Sequence, residues 1–305
     1  MFPSLSMTPM LIPSPGERHT DRPGKVILYF FAVFGIGSGS RALVSLLAHL
    51  AVSDISPATD MLIQLFATVF TVAAVILWCC RVERRSLMTL GFIRRGAMRE
   101  YLIGIVAGVA LFSAAVGLCL LAGVATLTKN PVTPSWWMLL LFLLAFLIQG
   151  LSEELLCRSF LMVSLSRRLP LWACAGINSA LFSLLHLLNP GITPLALINI
   201  FLFGLLASLL VLRRGSIWMA AALHSLWNFV EGNLFGISVS GLCGIPSPLV
   251  TTVTTDRSWK TLTHGGDFGI EAGLVSTVVF LVGILLVLLM PTKKFPNTCN
   301  NRADG

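Results

Sequence analysis

Two adjacent carboxylates and an arginine stand in Gln149-Gly150-Leu151-Ser152-Glu153-Glu154-Leu155-Leu156-Cys157-Arg158, at the end of the apolar run from Trp136 to Ile148. A charge at mid-membrane costs about 2.5–3.5 kcal/mol on the insertion scale, so such a set points to chemistry more than to packing. On a helix Glu154 and Arg158 are i,i+4 neighbours and can pair. Glu153 is rotated about 100° away and cannot share that face. One carboxylate is thereby neutralised and the other is left free to act. Later apolar segments add further polar groups: Phe182-Ser183-Leu184-Leu185-His186 followed by Asn189, then Asn199, then His224-Ser225-Leu226-Trp227-Asn228. His224 and Asn228 stack at i,i+4 on one helix face. A lone membrane histidine is usually a packed, hydrogen-bonded residue. Two histidines, an amide and a carboxylate pair on separate segments instead suggest groups that face one another across a site.

The set is chemically coherent. A desolvated carboxylate can serve as general base for a water molecule, and a histidine beside it can orient that water or shuttle its proton. A second histidine with an asparagine one turn on offers two donors aimed at one point, as an oxyanion hole requires. Glu153, His186 and His224 could equally bind zinc, because two His and one Glu with an open position form a catalytic zinc set. Spacing alone does not choose between these.

The elements that carry these residues are membrane spans. Of 305 residues 56% are hydrophobic and 11% charged, and mean hydropathy is +0.88, whereas a soluble domain carries about 25% charged residues. The expected fold class is all-α: a polytopic membrane helical bundle of about eight transmembrane helices. The apolar stretches are Val26 to Leu50, Met61 to Cys80, Tyr101 to Leu127, Trp136 onward, Leu171 to Leu188, Leu195 to Leu212, Ile217 to Leu234 and Ala272 to Met290. Residues 1–25 read as a disordered cytoplasmic tail, 26–290 as the transmembrane domain, 236–271 as an extracytoplasmic loop and 291–305 as a basic cytoplasmic tail. The Gly- and Ala-rich third span suits close helix packing.

The net charge of +8 does not imply nucleic acid, because most Arg and Lys fall in short loops between spans. Placing the N-terminus inside puts Lys25, the Arg81–Arg99 loop, Arg167-Arg168, Arg213-Arg214 and Lys293-Lys294 all on the cytoplasmic side. The cysteines show neither disulfide nor zinc spacing and read as small apolar fillers. No small-residue cleavage site follows the first apolar run, so a cleavable signal peptide is not expected. One tension concerns depth. Glu153 lies ~25 Å along the helix from Trp136, and His224 begins a segment entering from the same face, but His186 comes late in its segment. Either that segment starts deep or tilts, or the fourth helix runs on past Arg158.

Taken together, Glu-Glu-x-x-x-Arg at Glu153, Glu154 and Arg158, Phe-x-x-x-His at Phe182 and His186, and His-x-x-x-Asn at His224 and Asn228 resemble the CPBP intramembrane proteases, also called the Abi or CAAX-protease type. Arg-Arg-Gly-Ser before the second histidine helix, Gly-Asn-Leu-Phe-Gly after it, Phe268-Gly269-Ile270-Glu271 and the Ser86–Phe92 stretch are similar too, so the likeness covers about residues 86–290. Ser159 stands where many members have Gly. The resemblance implies a membrane endopeptidase open toward the cytoplasmic leaflet. Glu153 and His186 would activate water, His224 and Asn228 would hold the oxyanion, and Glu154 and Arg158 would fix the helix. It implies a glutamic mechanism without a required cofactor, with a divalent metal such as zinc as the alternative. The partners expected are the lipid bilayer and a membrane-associated protein or peptide, with CAAX-type processing among the reactions, in a multi-pass protein of a prokaryotic plasma membrane. The same Glu/His set would also serve a non-catalytic immunity or binding protein, or an ion-coupled transporter.

Overall fold

The computed structural model describes residues 8–19, 22–130, 135–243, 245, 250–254 and 258–293. Prolines at the first turn start three of the long helices, where a missing N–H costs nothing. These are α1 (Pro23–Ala51), α2 (Pro57–Val82) and α6 (Pro194–Arg214). Ser56 and Thr193 cap α2 and α6 by accepting from Thr59 N and Ala196 N at 3.2 and 3.0 Å, which satisfies backbone donors that no helical carbonyl can reach. Between them lie α3 (Ala97–Leu121), α4 (Trp136–Leu165) and the short α5 (Leu171–Leu184). After α6 come α7 (Trp218–Phe229), which continues as a π turn over Val230–Leu234, then α8 (Ser258–His264) and α9 (Leu274–Leu289).

The chain is a helical bundle in which α1, α2, α3, α4 and α6 are long and apolar enough to cross a membrane, while α5 and α9 are shorter apolar helices. Each of the eight expected apolar stretches contains one of these helices or α7, but only five reach spanning length by that measure. The third stretch is shorter than its hydropathy suggests. Helix α3 stops at Leu121, Gly123 takes a positive φ of 63°, and Ala125–Lys129 becomes strand β1. That strand pairs antiparallel with β2 (Val250–Thr254), Leu127 opposite Thr252. The expected loop 236–271 therefore carries β2, α8 and two turns of 3-10 helix at Gly266–Phe268 and Ile270–Ala272.

The Gly-rich third span packs as its composition suggests. A Cβ on Gly104 would collide with the carbonyl oxygen of Met219, and one on Gly108 with that of Leu223. Small residues four apart let α3 and α7 approach backbone to backbone, and this contact presses α7, with His224 on it, into the bundle.

The basic segments gather at one end. The Arg167 guanidinium reaches Glu17 at 2.9 Å, and Arg85 donates to Glu83 Oε2 at 3.1 Å and to the Ser159 carbonyl at 2.6 Å. There too Arg214 donates to Glu100 at 3.0 Å and Lys293 to the Arg95 carbonyl at 3.2 Å. Of the stretch expected as a disordered tail, residues 8–19 lie against this end with Met10 buried, and the Arg18 amide donates to the Glu83 carbonyl at 2.8 Å. Residues 1–7 and 20–21 of that tail, and 294–305 of the basic tail, fall outside the described residues. Cys79, Cys119, Cys157 and Cys174 are free and buried, in keeping with apolar filling.

Candidate active site

Helix α4 is continuous from Trp136 to Leu165, which removes the tension in depth: it does run on past Arg158. Glu153 is then interior to the helix, ~18 Å from its Leu165 end. Just beyond the carboxylates the helix widens to π geometry over Leu155–Met162, a distortion found mostly at functional places in helices. Helix α5 stops at Leu184 and the chain turns irregularly through His186 and Asn189 before α6. Irregular backbone at membrane depth is tolerated where it lines a cavity, and it does so here.

The fully buried Glu154 takes two charge-assisted contacts on Oε1: Arg158 Nη1 at 2.8 Å and His224 Nδ1 at 2.9 Å. Arg158, equally buried, also donates from Nη2 to the Gly204 carbonyl at 3.1 Å. Its guanidinium lies 4.5 Å from the centre of the Phe182 ring, within range of a cation–π contact. The expected pairing of Glu154 with Arg158 is thus present, and it extends to α7. Because a carboxylate only accepts, His224 Nδ1 carries a proton, leaving Nε2 to face the site.

Glu153 points the other way. Its side chain is 30% exposed and Oε2 stands 3.6 Å from His224 Nε2, too long for a hydrogen bond. Its Oε1 accepts from Gln149 Nε2 at 2.6 Å. The other end of that amide, Gln149 Oε1, accepts from Asn228 Nδ2 at 3.1 Å. Gln149 therefore bridges the free carboxylate and the asparagine of the third motif. Its place one turn before Glu153 was visible in the sequence, but its link to Asn228 depends on where α7 lies.

His186 donates from Nδ1 to the Phe182 carbonyl at 2.9 Å, which leaves Nε2 unprotonated in the neutral ring. Glu153, His186, His224, Asn228 and Gln149 line one cavity of about 240 Å³. Glu154 and Arg158 lie behind it. Close approach of α4 to α7 makes this possible, since a Cβ on Gly150 would strike Ser225 Oγ and crowd the Ser225 backbone.

Among the described residues no three His, Cys, Asp or Glu side chains come together as a metal-ligating group. Glu153, His186 and His224 share the cavity wall without meeting as a ready-made zinc set.

Two polar groups of the sequence serve the frame. Asn199 donates to the Glu271 and Gly273 carbonyls at 2.7 and 2.8 Å and accepts from Thr277 at 2.7 Å, holding the turn before α9. Asn189 donates to the Ser240 carbonyl at 2.9 Å. Ser240 in turn donates through its amide and hydroxyl to Glu271 Oε2 at 3.0 and 2.7 Å, and Glu271 Oε1 accepts from the indole of Trp227 at 2.9 Å. This chain of bonds ties the His186 turn to the helix of His224.

One protein family overlaps this part of the chain. Residues 134–230 match the family model described as type II CAAX prenyl endopeptidase Rce1-like. This region is Rce1-like. No curated protein and no solved structure matches the chain. The Rce1-like region is about a third of the sequence and runs from α4 to the start of the π turn after α7. It contains Glu153, Glu154, Arg158, His186, His224 and Asn228, the residues on which the CPBP resemblance rests. Several other residues of the cavity lie outside the Rce1-like region, among them Arg41, Gln64 and Glu271.

Proposed function

We propose that the chain is an intramembrane endopeptidase of CAAX type, hydrolysing a peptide bond of a membrane-associated, prenylated substrate. One observation carries this reading: a carboxylate, two histidines and an asparagine from α4, the turn after α5, and α7 line a single cavity, inside the region that matches the endopeptidase family.

In this mechanism Glu153, whose Oε2 has no hydrogen bond among the described residues, accepts a proton from water as the oxygen attacks the scissile carbonyl. His186 Nε2 orients that water. His224 and Asn228 donate to the oxygen that becomes negative, stabilising the tetrahedral intermediate. With Nδ1–H held by Glu154, donation from His224 Nε2 requires the imidazolium form, and Glu153 and Glu154 on its two sides balance the charge. The proton on Glu153 then passes to the leaving amine as the C–N bond breaks. Glu154 and Arg158 are positioning residues, because they act through the His224 ring and the course of α4. The gathered basic loops of the bundle belong on the cytoplasmic side, and Glu153 lies toward that end.

The test is hydrolysis of a farnesylated CAAX peptide by purified protein in phosphatidylcholine vesicles, following the released C-terminal fragment. Wild type should release it, and Glu153→Gln, folded and equally abundant, should do so at below about 1% of that rate, in line with the 10²–10⁴-fold worth of a positioned base. Equal release from both, or none from either, removes the hydrolytic reading in favour of a binding or transport role.

A further inference from the structure

Arg41 is a charge the proposed chemistry does not use. It sits within α1, ~27 Å from the Pro23 end and ~15 Å from the Ala51 end, with its side chain exposed. A cation at such depth is costly and is ordinarily paired or functional. Arg158, the buried arginine of α4, has Glu154, Gly204 and Phe182 around it. Arg41 has no hydrogen bond or ion pair with any described residue. Its side chain instead lines the cavity that holds Glu153, His186 and His224.

The cavity is divided in character. One wall carries the Glu/His/Asn set, whereas the wall from α1 and α2 carries Arg41 with Ser38 and Gln64. Apolar surface from Phe34, Met61, Leu65, Phe182 and Phe203 fills much of the remainder. A ligand that satisfies all of it has an apolar body, a carbonyl at Glu153, and an anionic group set apart from that carbonyl. A guanidinium matches a carboxylate through two parallel hydrogen bonds.

We propose that Arg41 binds the free C-terminal carboxylate of the peptide substrate, so that the site measures the distance from the chain end to the bond that is cut. The proposal rests on the hydrolytic reading for its substrate class, but its test reads binding. A lipid phosphate is the other source of an anion; the place of Arg41 on the cavity wall, away from the ends of α1, favours the peptide.

The experiment compares one farnesylated CAAX peptide as its C-terminal acid and as its amide, with wild type, Arg41→Gln and Arg41→Lys in phosphatidylcholine nanodiscs. Thermal unfolding of each variant is measured alongside. Wild type should bind the acid at least tenfold more tightly than the amide. Arg41→Gln should bring the ratio within twofold while leaving the amide's Kd unchanged, and Arg41→Lys should keep part of the preference. An equal Kd for both peptides on wild type, a preference that survives in Arg41→Gln, or no binding of either peptide overturns the proposal. A flat acid-to-amide ratio with phosphatidylglycerol-dependent binding that Arg41→Gln abolishes assigns the guanidinium to lipid and overturns it as well. Failure of hydrolysis with the tenfold ratio intact would remove the catalytic reading alone.

Discussion

Removing the guanidinium of Arg158 gives the sharpest test of how the site is held. In Arg158→Met the Glu154 carboxylate, 0% exposed, keeps only the bond from His224 Nδ1 at 2.9 Å. Breaking one partner of a buried ion pair costs about 3–5 kcal/mol, chiefly because the remaining charge stays buried without compensation. The lost bond to the Gly204 carbonyl and the lost contact with Phe182 fall within that figure. Glu154→Gln/Arg158→Met removes both charges while leaving an amide oxygen to accept from His224, and should lie within about 1–2 kcal/mol of wild type. The two side chains touch, so their effects should not add. Equilibrium unfolding in detergent by titrated denaturant, on wild type, both single variants and the double, gives the cycle. A cost below about 1 kcal/mol for Arg158→Met, or a double variant that costs the sum of the singles, refutes the argument that an uncompensated carboxylate governs this position. The double variant should be inactive despite its stability, because Glu154, one of the two carboxylates that balance the His224 imidazolium, has lost its charge.

Three further perturbations separate positioning from packing. Gln149→Leu breaks the bridge between Glu153 and Asn228; kcat/KM on the farnesylated peptide should fall about ten- to hundredfold, about 1.4–2.7 kcal/mol of transition-state stabilisation, a larger loss than the accompanying change in unfolding free energy. Gly150→Ala drives a methyl group into α7 and should destabilise by about 1–3 kcal/mol in denaturant titration and slow hydrolysis by displacing His224. Adding Ser225→Ala should recover only part of that loss, since Ser225 N and Cα remain 2.9 and 3.0 Å from the new Cβ. Asn199→Leu orphans the Glu271 and Gly273 carbonyls and should cost about 1–3 kcal/mol on thermal and chemical unfolding.

Much of the site was legible because its parts follow helix periodicity. Glu154 and Arg158 are one turn apart, as are His224 and Asn228, and the structure places each pair on one helix face. The apolar stretches likewise mark where the helices run. What stayed hidden depends on how helices meet. Nothing local tells Gln149 that Asn228 is its partner, and nothing local sets Asn199, which reads like a site residue, to holding the turn before α9. Helix α3 ends before the third apolar stretch does, because Leu127 extends the hydropathy whereas Gly123 turns the backbone and the Thr-rich segment beyond it pairs with a strand more than a hundred residues on. The position of His186 resolved only when α5 proved too short to carry it on a helix.

The bond chain from Asn189 through Ser240 and Glu271 to Trp227 bears on how this protein can be divided. The Rce1-like region ends at residue 230, before two of the four links. A fragment cut to that region would keep every residue assigned to the chemistry. It would nevertheless lose the acceptor for the Trp227 indole, the clasp on the His186 turn, and the α3 backbone against which α7 rests. The family match therefore spans the proposed reacting groups and not a portable unit. Grafting the proposed activity into another membrane scaffold would require transplanting α3 and the segment through Gly273 along with it.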